Sequence, residues 1–423
     1  MGKSKLTIRA VVYVLGVTVL GGGLLFSFSL VSNMLPNSVP QQSLNKSLVQ
    51  GELSDSDYSV EQLGLFNKLA VNLVTLDNYS ECVELGHALS PRYSNFDSRP
   101  SALDPSPCRD LSLVLSPGSS GGYADQVFYG RFWHGTAALT KMLLFVTDLS
   151  LIRGILTVMI LFVTFALAVL AFRRDRFVGA TLAVFFFLAS DIPFQGMLLT
   201  HGVPTFVGLL FSLAAYLVPK SSTILYYCLA SLGGVFYAFF AQLYTPLLFM
   251  LLLVIFRILR TNEGDLGDRF STAVAGSIWW LLGYGVMMIA RFFEIIARLG
   301  IDATLSELSS STSSKFTWNP FDLFVAIYHH TIIGTGGSHL RVIGIGLLMA
   351  SLGFVLGLAS KRNALDPKFS RKISLPIAWI TVWYLVMLGH NGHGWVANLT
   401  LGTLTYGILA LRWLTTPAYS SSK

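Results

Sequence analysis

Charge is what this chain has least of. Only 12% of its 423 residues are Asp, Glu, Lys or Arg, against 53% hydrophobic, and the mean hydropathy is +0.62. That balance excludes an ordinary water-soluble globular protein. Other absences narrow the field further. No basic patch with interleaved aromatics is present, so the net charge of +7 does not mark a nucleic-acid binder. No row of Asp, Glu, Lys or Arg runs through the middle of the apolar stretches, which counts against an ion-coupled transporter. No tight spacing such as H-x-x-x-H occurs among the eight histidines, which argues against zinc. The apolar run near the start is longer than a secretory h-region and lacks a small-residue cleavage site, so it reads as an uncleaved first span.

What is there is a series of apolar runs. Candidate membrane-spanning helices fall near 10–32, 150–172, 177–190, 204–218, 223–240, 246–259, 270–291, 341–360, 373–389 and 398–414. A helix needs ~20 apolar residues to cross the hydrocarbon core with its backbone satisfied internally, and several of these runs reach that length while others, such as 177–190 and 246–259, are short. The expected fold is an all-α polytopic membrane protein of about ten transmembrane helices with a large first external loop. Lys3, Lys5, Arg9, Arg173, Arg174, Arg176, Lys220, Arg257, Arg260, Arg269, Lys361, Arg362, Lys368, Arg371 and Lys372 all fall on one side under that count. That side is then cytoplasmic, with both termini inside. The organisation follows: 1–32 first span, 33–135 external loop domain, 136–291 spans with short loops, 292–340 second external loop, and 341–423 final spans and a short tail.

The loop 33–135 holds eleven of the 22 acidic residues and six basic ones. Residues 36–60, rich in Ser, Gln, Asn and Pro, read as an irregular exit from the membrane, and 60–89 carries a three- and four-residue apolar repeat expected of amphipathic helix. Segment 136–149, apolar but interrupted by Lys141 and Asp148, reads as lying in the membrane interface. Cys82 and Cys108 share the loop domain and are expected to pair in an oxidising compartment; Cys228, within a span, reads as a packing residue.

Three constellations carry chemistry. Asp55-Ser56-Asp57, with Glu52 nearby, follows the first span. A carboxylate there is placed to take the proton from an acceptor hydroxyl, and the pair also has the spacing to hold a divalent cation, Mg²⁺ or Mn²⁺, with a phosphate. Arg131 and His134, in the string Arg131-Phe132-Trp133-His134-Gly135, offer a fork and a donor for phosphate oxygens, while Trp133 reads as an interfacial aromatic. Seven of the eight histidines, among them His201, His330 and His339, stand at or near span ends on the predicted external face, where with Asp191 they are placed to converge on one cavity. Gly334-Thr335-Gly336-Gly337-Ser338 and His390-Asn391-Gly392-His393-Gly394-Trp395 read either as ligand-contacting turns or as a hinge and a tight turn.

This arrangement resembles the GT-C class of membrane glycosyltransferases: many spans, a large first external loop, and a carboxylate motif, here Asp55-Ser56-Asp57, soon after the first span. The Arg131–Gly135 string looks like an R-[FY]-W-H-G string of bacterial multi-pass proteins assigned to that class. The resemblance implies a polyprenyl-phosphate-linked sugar as donor, an external-face active site on a bacterial inner membrane, and a protein or glycan acceptor, with no nucleic acid. It makes Asp55, or alternatively Asp57, the catalytic base, and Arg131, His134, His201, His330 and His339 the donor-phosphate residues. In size and loop plan the chain looks most like bacterial arabinofuranosyltransferases, including those that modify pilins. The rival expectations are a transporter or flippase of lipid-linked sugars, a glycan polymerase or ligase, and a non-enzymatic assembly subunit.

Overall fold

The computed structural model describes residues 8–53, 78–89, 107–115, 133, 135–190, 192–241, 246–261, 266–302, 305, 339–361 and 395–415. They are helical almost throughout, with no strand among them. In chain order the helices are α1 (Ile8–Met34), α2 (Ser38–Val49), α3 (Asn78–Leu89), α4 (Pro107–Leu115), α5 (Gly135–Leu143), α6 (Leu149–Arg174) and α7 (Arg176–Val184). They continue as α8 (Leu199–Leu217), α9 (Thr223–Phe240), α10 (Pro246–Thr261), α11 (Leu266–Leu299), α12 (His339–Lys361) and α13 (Trp395–Thr415).

Five stretches are long and apolar enough to cross a membrane: Ile8–Met34, Leu149–Arg174, Leu199–Leu217, Thr223–Phe240 and Ser271–Ala297. The protein is therefore a multi-pass membrane protein by length and composition. The expected span 177–190 is α7 continued by a π-helical turn, Phe185–Ala189, too short on its own for a ~30 Å core. It is followed by a 3₁₀ turn, Ile192–Met197, that leads into α8. The expected span 373–389 lies outside the described residues, as do the stretches 90–106 and 116–132 of the loop domain.

Composition decides which helices face lipid. On α1, Val12, Val19, Leu20 and Leu24 are exposed, and on α6 so are Val158, Phe162 and Phe165, as expected where the surroundings are hydrocarbon. Helix α10 is the opposite case: from Pro246 to Leu259 every residue is buried, the mark of a helix apolar all round and enclosed by its neighbours. Helices α9 and α11 meet backbone to backbone, because a Cβ at Gly234 would be driven into the Trp280 carbonyl and one at Gly283 into that of Ser231. Thr18 on α1 and Ser231 on α9 share a hydrogen bond of 2.6 Å between the spans.

Contacts define two rims. At one, arginines close helix ends: Arg257 donates to the Val218 carbonyl at 2.9 Å, just past α8, and lies over the Tyr226 ring at 4.9 Å. Arg174 donates to Leu259 O at 3.2 Å. Cations at the carbonyl ends of helices complement the macrodipole and satisfy orphan acceptors. The other rim carries α2, α3 and α4, the described helices of the loop domain, and α5, which follows it.

Helix α2 corrects the expectation of an irregular exit over 36–60: the chain re-forms helix over Ser38–Val49, with Pro40 tolerated in the first turn and Pro40, Leu44 and Ser47 buried on one face. Helix α5 is covered by its neighbours rather than laid open to lipid, since Gly135, Thr136, Ala137, Ala138, Thr140 and Lys141 are all buried. Asp148 interrupts the apolar run for a local reason: its carboxylate caps α6, accepting from Leu151 N at 2.9 Å.

Candidate functional site: a buried carboxylate–guanidinium hub at the loop-domain rim

The expected disulfide is formed. Cys82 on α3 and Cys108 on α4 are bonded across a sequence separation of 26, so the two short helices are covalently one unit. Cys228 is buried and free, as expected of a packing residue.

Beside the disulfide, Glu81 points into the bundle with 2% of its surface exposed. One carboxylate oxygen accepts from Arg153 Nη2 on α6 at 3.1 Å. The other accepts from the backbone N–H and the hydroxyl of Thr200, at 3.0 and 3.1 Å. Thr200 lies in the first turn of α8, so Glu81 also meets the positive end of that helix. Arg153 reaches on with Nη1 to the Glu52 carbonyl at 3.0 Å. A single buried ion pair thus ties together the segment after α2, helix α3, the start of α6 and the start of α8.

The neighbourhood is polar for a membrane protein. Glu84, one turn beyond Glu81, is 2% exposed, and Gln195 in the 3₁₀ turn is 5% exposed, its Oε1 without a hydrogen-bond partner among the described residues. The seam between α6 and the 3₁₀ turn is tight here: a Cβ at Gly196 would strike the Thr157 backbone.

A second anchor lies at the same rim. Trp133 is buried rather than interfacial, at 4% exposure, and its indole N–H donates to Met287 O on α11 at 2.8 Å. Its ring meets those of Phe26 and Phe239, each 5.9 Å away between centroids, and Arg291 lies over it at 5.5 Å while pairing with Glu294. A Cβ at Gly135 would clash with Phe239, and Thr136 donates to Phe240 O at 2.9 Å. Two members of the Arg131–Gly135 string therefore have a packing role, docking the end of the loop domain on α1, α9 and α11.

Of the sequence-predicted site residues, Asp55, Asp57, Arg131, His134 and His330 lie outside the described residues. So do Asp191, His329, His390, His393 and the 334–338 glycine segment. His201 directly follows Thr200 on α8 and is half-buried at the hub; His339 is the first residue of α12. The residue before His201, Thr200, bonds Glu81, which pairs with Arg153 and through it with the Glu52 carbonyl; Glu81, Arg153 and that carbonyl were not singled out as ligands from sequence. Arg153 carried a readable signal, an ionisable residue at the start of an otherwise apolar run. Among the described residues no cluster of three or more His, Cys, Asp or Glu is placed to hold a metal ion.

Fold and rim define a helical multi-pass membrane protein with a disulfide-bonded cap seated on one end of its bundle. Compared with protein-family models, with curated proteins and with solved structures, the chain matches none.

Proposed function

We propose that this protein is an integral-membrane glycosyltransferase of the GT-C type, moving a sugar from a polyprenyl-phosphate donor to an acceptor hydroxyl on a protein or glycan. On the narrower reading the sugar is arabinofuranose and the acceptor a pilin Ser or Thr. The reaction takes place at the loop-domain rim, which is the periplasmic face of a bacterial inner membrane. The observation that carries the reading is the Glu81–Arg153 hub, which holds the Glu52 carbonyl and the start of α8 in one place. The first segment continues within a few residues into Asp55-Ser56-Asp57, and the second bears His201. A cap locked to a lipid-facing bundle suits a donor whose prenyl chain stays in the membrane while its sugar is presented to water.

In this reaction Asp55, or in its place Asp57, takes the proton of the acceptor hydroxyl as its oxygen bonds to the anomeric carbon. The bond from that carbon to the phosphate oxygen breaks with inversion, and the electron pair leaves on the polyprenyl phosphate. Arg131 and His134, helped by His201, His330 and His339, meet the charge that grows on the leaving phosphate. Mg²⁺ or Mn²⁺ held by the Asp55–Asp57 pair would serve the same end.

The test is transfer from a radiolabelled polyprenyl-phosphate sugar in solubilised membranes, wild type against Asp55→Asn. Product in the wild type and none in a folded variant supports the reading. Equal product moves the base to Asp57 or Glu52, whereas donor binding without product in either protein returns the assignment to a lipid-linked-sugar transporter.

A further inference from the structure

Lys141 on α5 has 1% of its surface exposed, and its ammonium donates one hydrogen bond, to Asn37 Oδ1 at 2.6 Å. An ammonium carries three donors and a full charge. Among the described residues no carboxylate lies within ion-pair distance of it; the carboxylate of Asp148 is engaged by Lys46 and by the Leu151 N–H. A buried charge met, among the described residues, only by a neutral amide is an arrangement that folding disfavours strongly unless a counter-charge is supplied.

The acceptor points to where that counter-charge would sit. Asn37 stands at the N-cap of α2, yet its side chain makes no capping bond, being turned to Lys141 instead. The first turn of this 12-residue helix is thus uncapped. Ser38 and Val39 are exposed, their N–H groups have no acceptor among the described residues, and Pro40 has no N–H at all. Two sources of positive potential, the ammonium and the α2 N-terminus, converge on one side chain. The place is where α1 ends with Leu30, Val31 and Met34 exposed, the level at which a helix leaves hydrocarbon for headgroups.

We propose that Lys141, Asn37 and the first turn of α2 form a binding site for an anionic phosphate, supplied as a lipid headgroup at the loop-domain rim. The phosphate oxygens take donors from the ammonium and from the Ser38 and Val39 N–H groups, and Asn37 is the side chain that turns to admit them. The site is separate from the proposed transfer chemistry and does not rest on it.

The test titrates the full-length protein in phosphatidylcholine nanodiscs with farnesyl phosphate, with inorganic phosphate and with farnesol. Lys141→Met removes the charge at similar volume and Lys141→Arg keeps it. Wild type is expected to bind farnesyl phosphate about tenfold more tightly than Lys141→Met, and Lys141→Arg to stay within about threefold of wild type. Binding of farnesyl phosphate alone that Lys141→Met weakens identifies a headgroup site; binding of inorganic phosphate that the same variant also weakens identifies a phosphate site open to either source, and both support the proposal. Equal binding by wild type and Lys141→Met, or equal binding of farnesol and farnesyl phosphate, overturns it. A readout needing no variant is amide exchange at Ser38 and Val39 in the wild type. Farnesyl phosphate is expected to slow it, and unchanged exchange overturns the proposal.

Discussion

Glu81 and Arg153, 72 positions apart in sequence, meet at 3.1 Å with side chains 2% and 10% exposed. Each has a neutral partner as well, Thr200 for Glu81 and the Glu52 carbonyl for Arg153, but no second opposite charge among the described residues, so removing one leaves the other's charge buried and unpaired. Breaking a buried pair on one side costs about 3–5 kcal/mol, whereas replacing both partners by apolar residues is often close to neutral. Glu81→Met and Arg153→Met should therefore each lower the unfolding midpoint in detergent sharply. The double variant should recover much of the loss, since what stays open is neutral: the pair of Thr200 donors and the Glu52 carbonyl. A double-mutant cycle on thermal unfolding checks this; additive losses would show that the two residues act independently.

The disulfide next to Glu81 makes the pair's geometry a property of the covalent chain. Closing a loop of this size restricts the unfolded state and is worth about 3 kcal/mol on the chain-entropy account. The Cys82→Ser, Cys108→Ser double variant should unfold at a lower temperature than wild type. Reductant should bring wild type down to the same midpoint while leaving the variant unmoved. A wild type indifferent to reductant, with exposure of both thiols shown by alkylation, would show that the cap holds through side-chain contacts alone.

The helices were legible and the hub was not, for one physical reason. A helix facing lipid announces itself locally through a run of apolar residues, and so α1, α6, α9 and α11 stand close to where the runs predict. Helix α2 lacks that signal: Gln41, Gln42 and Lys46 are exposed, and what makes it helix is the burial of Pro40, Leu44 and Ser47 against the cap and α6. The Glu81–Arg153 pair has no local signature either, because its strength comes from a meeting of distant segments. The Arg131–Gly135 string shows the converse. Trp133 and Gly135 were read for interface and motif, but their immediate role is packing on Phe239, which lies in another helix about a hundred residues on.

Lys141 ties stability to pH in a definite direction. Burial lowers its pKa from the usual 10.5. The unfolded chain then holds a proton that the folded chain has released, over the window between the lowered value and 10.5. Stability should rise with pH across that window, because the cost of the buried ammonium is present below it and is relieved as the group deprotonates. Lys141→Met has no such group, so the difference in unfolding temperature between variant and wild type should favour the variant at neutral pH and shrink as pH approaches 10. A difference that stays constant with pH would mean that the ammonium is compensated in the folded state.

Gly283 and Gly285 lie two positions apart on α11 and should respond in opposite directions to the same substitution. A Cβ at Gly283 would be forced into the Ser231 carbonyl of α9, a backbone atom that cannot rotate away. A Cβ at Gly285 meets nothing within 4 Å. Gly283→Ala should therefore push α9 and α11 apart, at a cost on the order of 1–3 kcal/mol or more for overpacking, and loosen the Thr18–Ser231 contact to α1. Gly285→Ala should gain up to about 1 kcal/mol from helix propensity alone. Unfolding midpoints of the two variants, measured side by side in one detergent, decide the matter. Similar effects from both would mean that the α9–α11 interface has room for a methyl group, and that the close approach of the two backbones is not what holds them together.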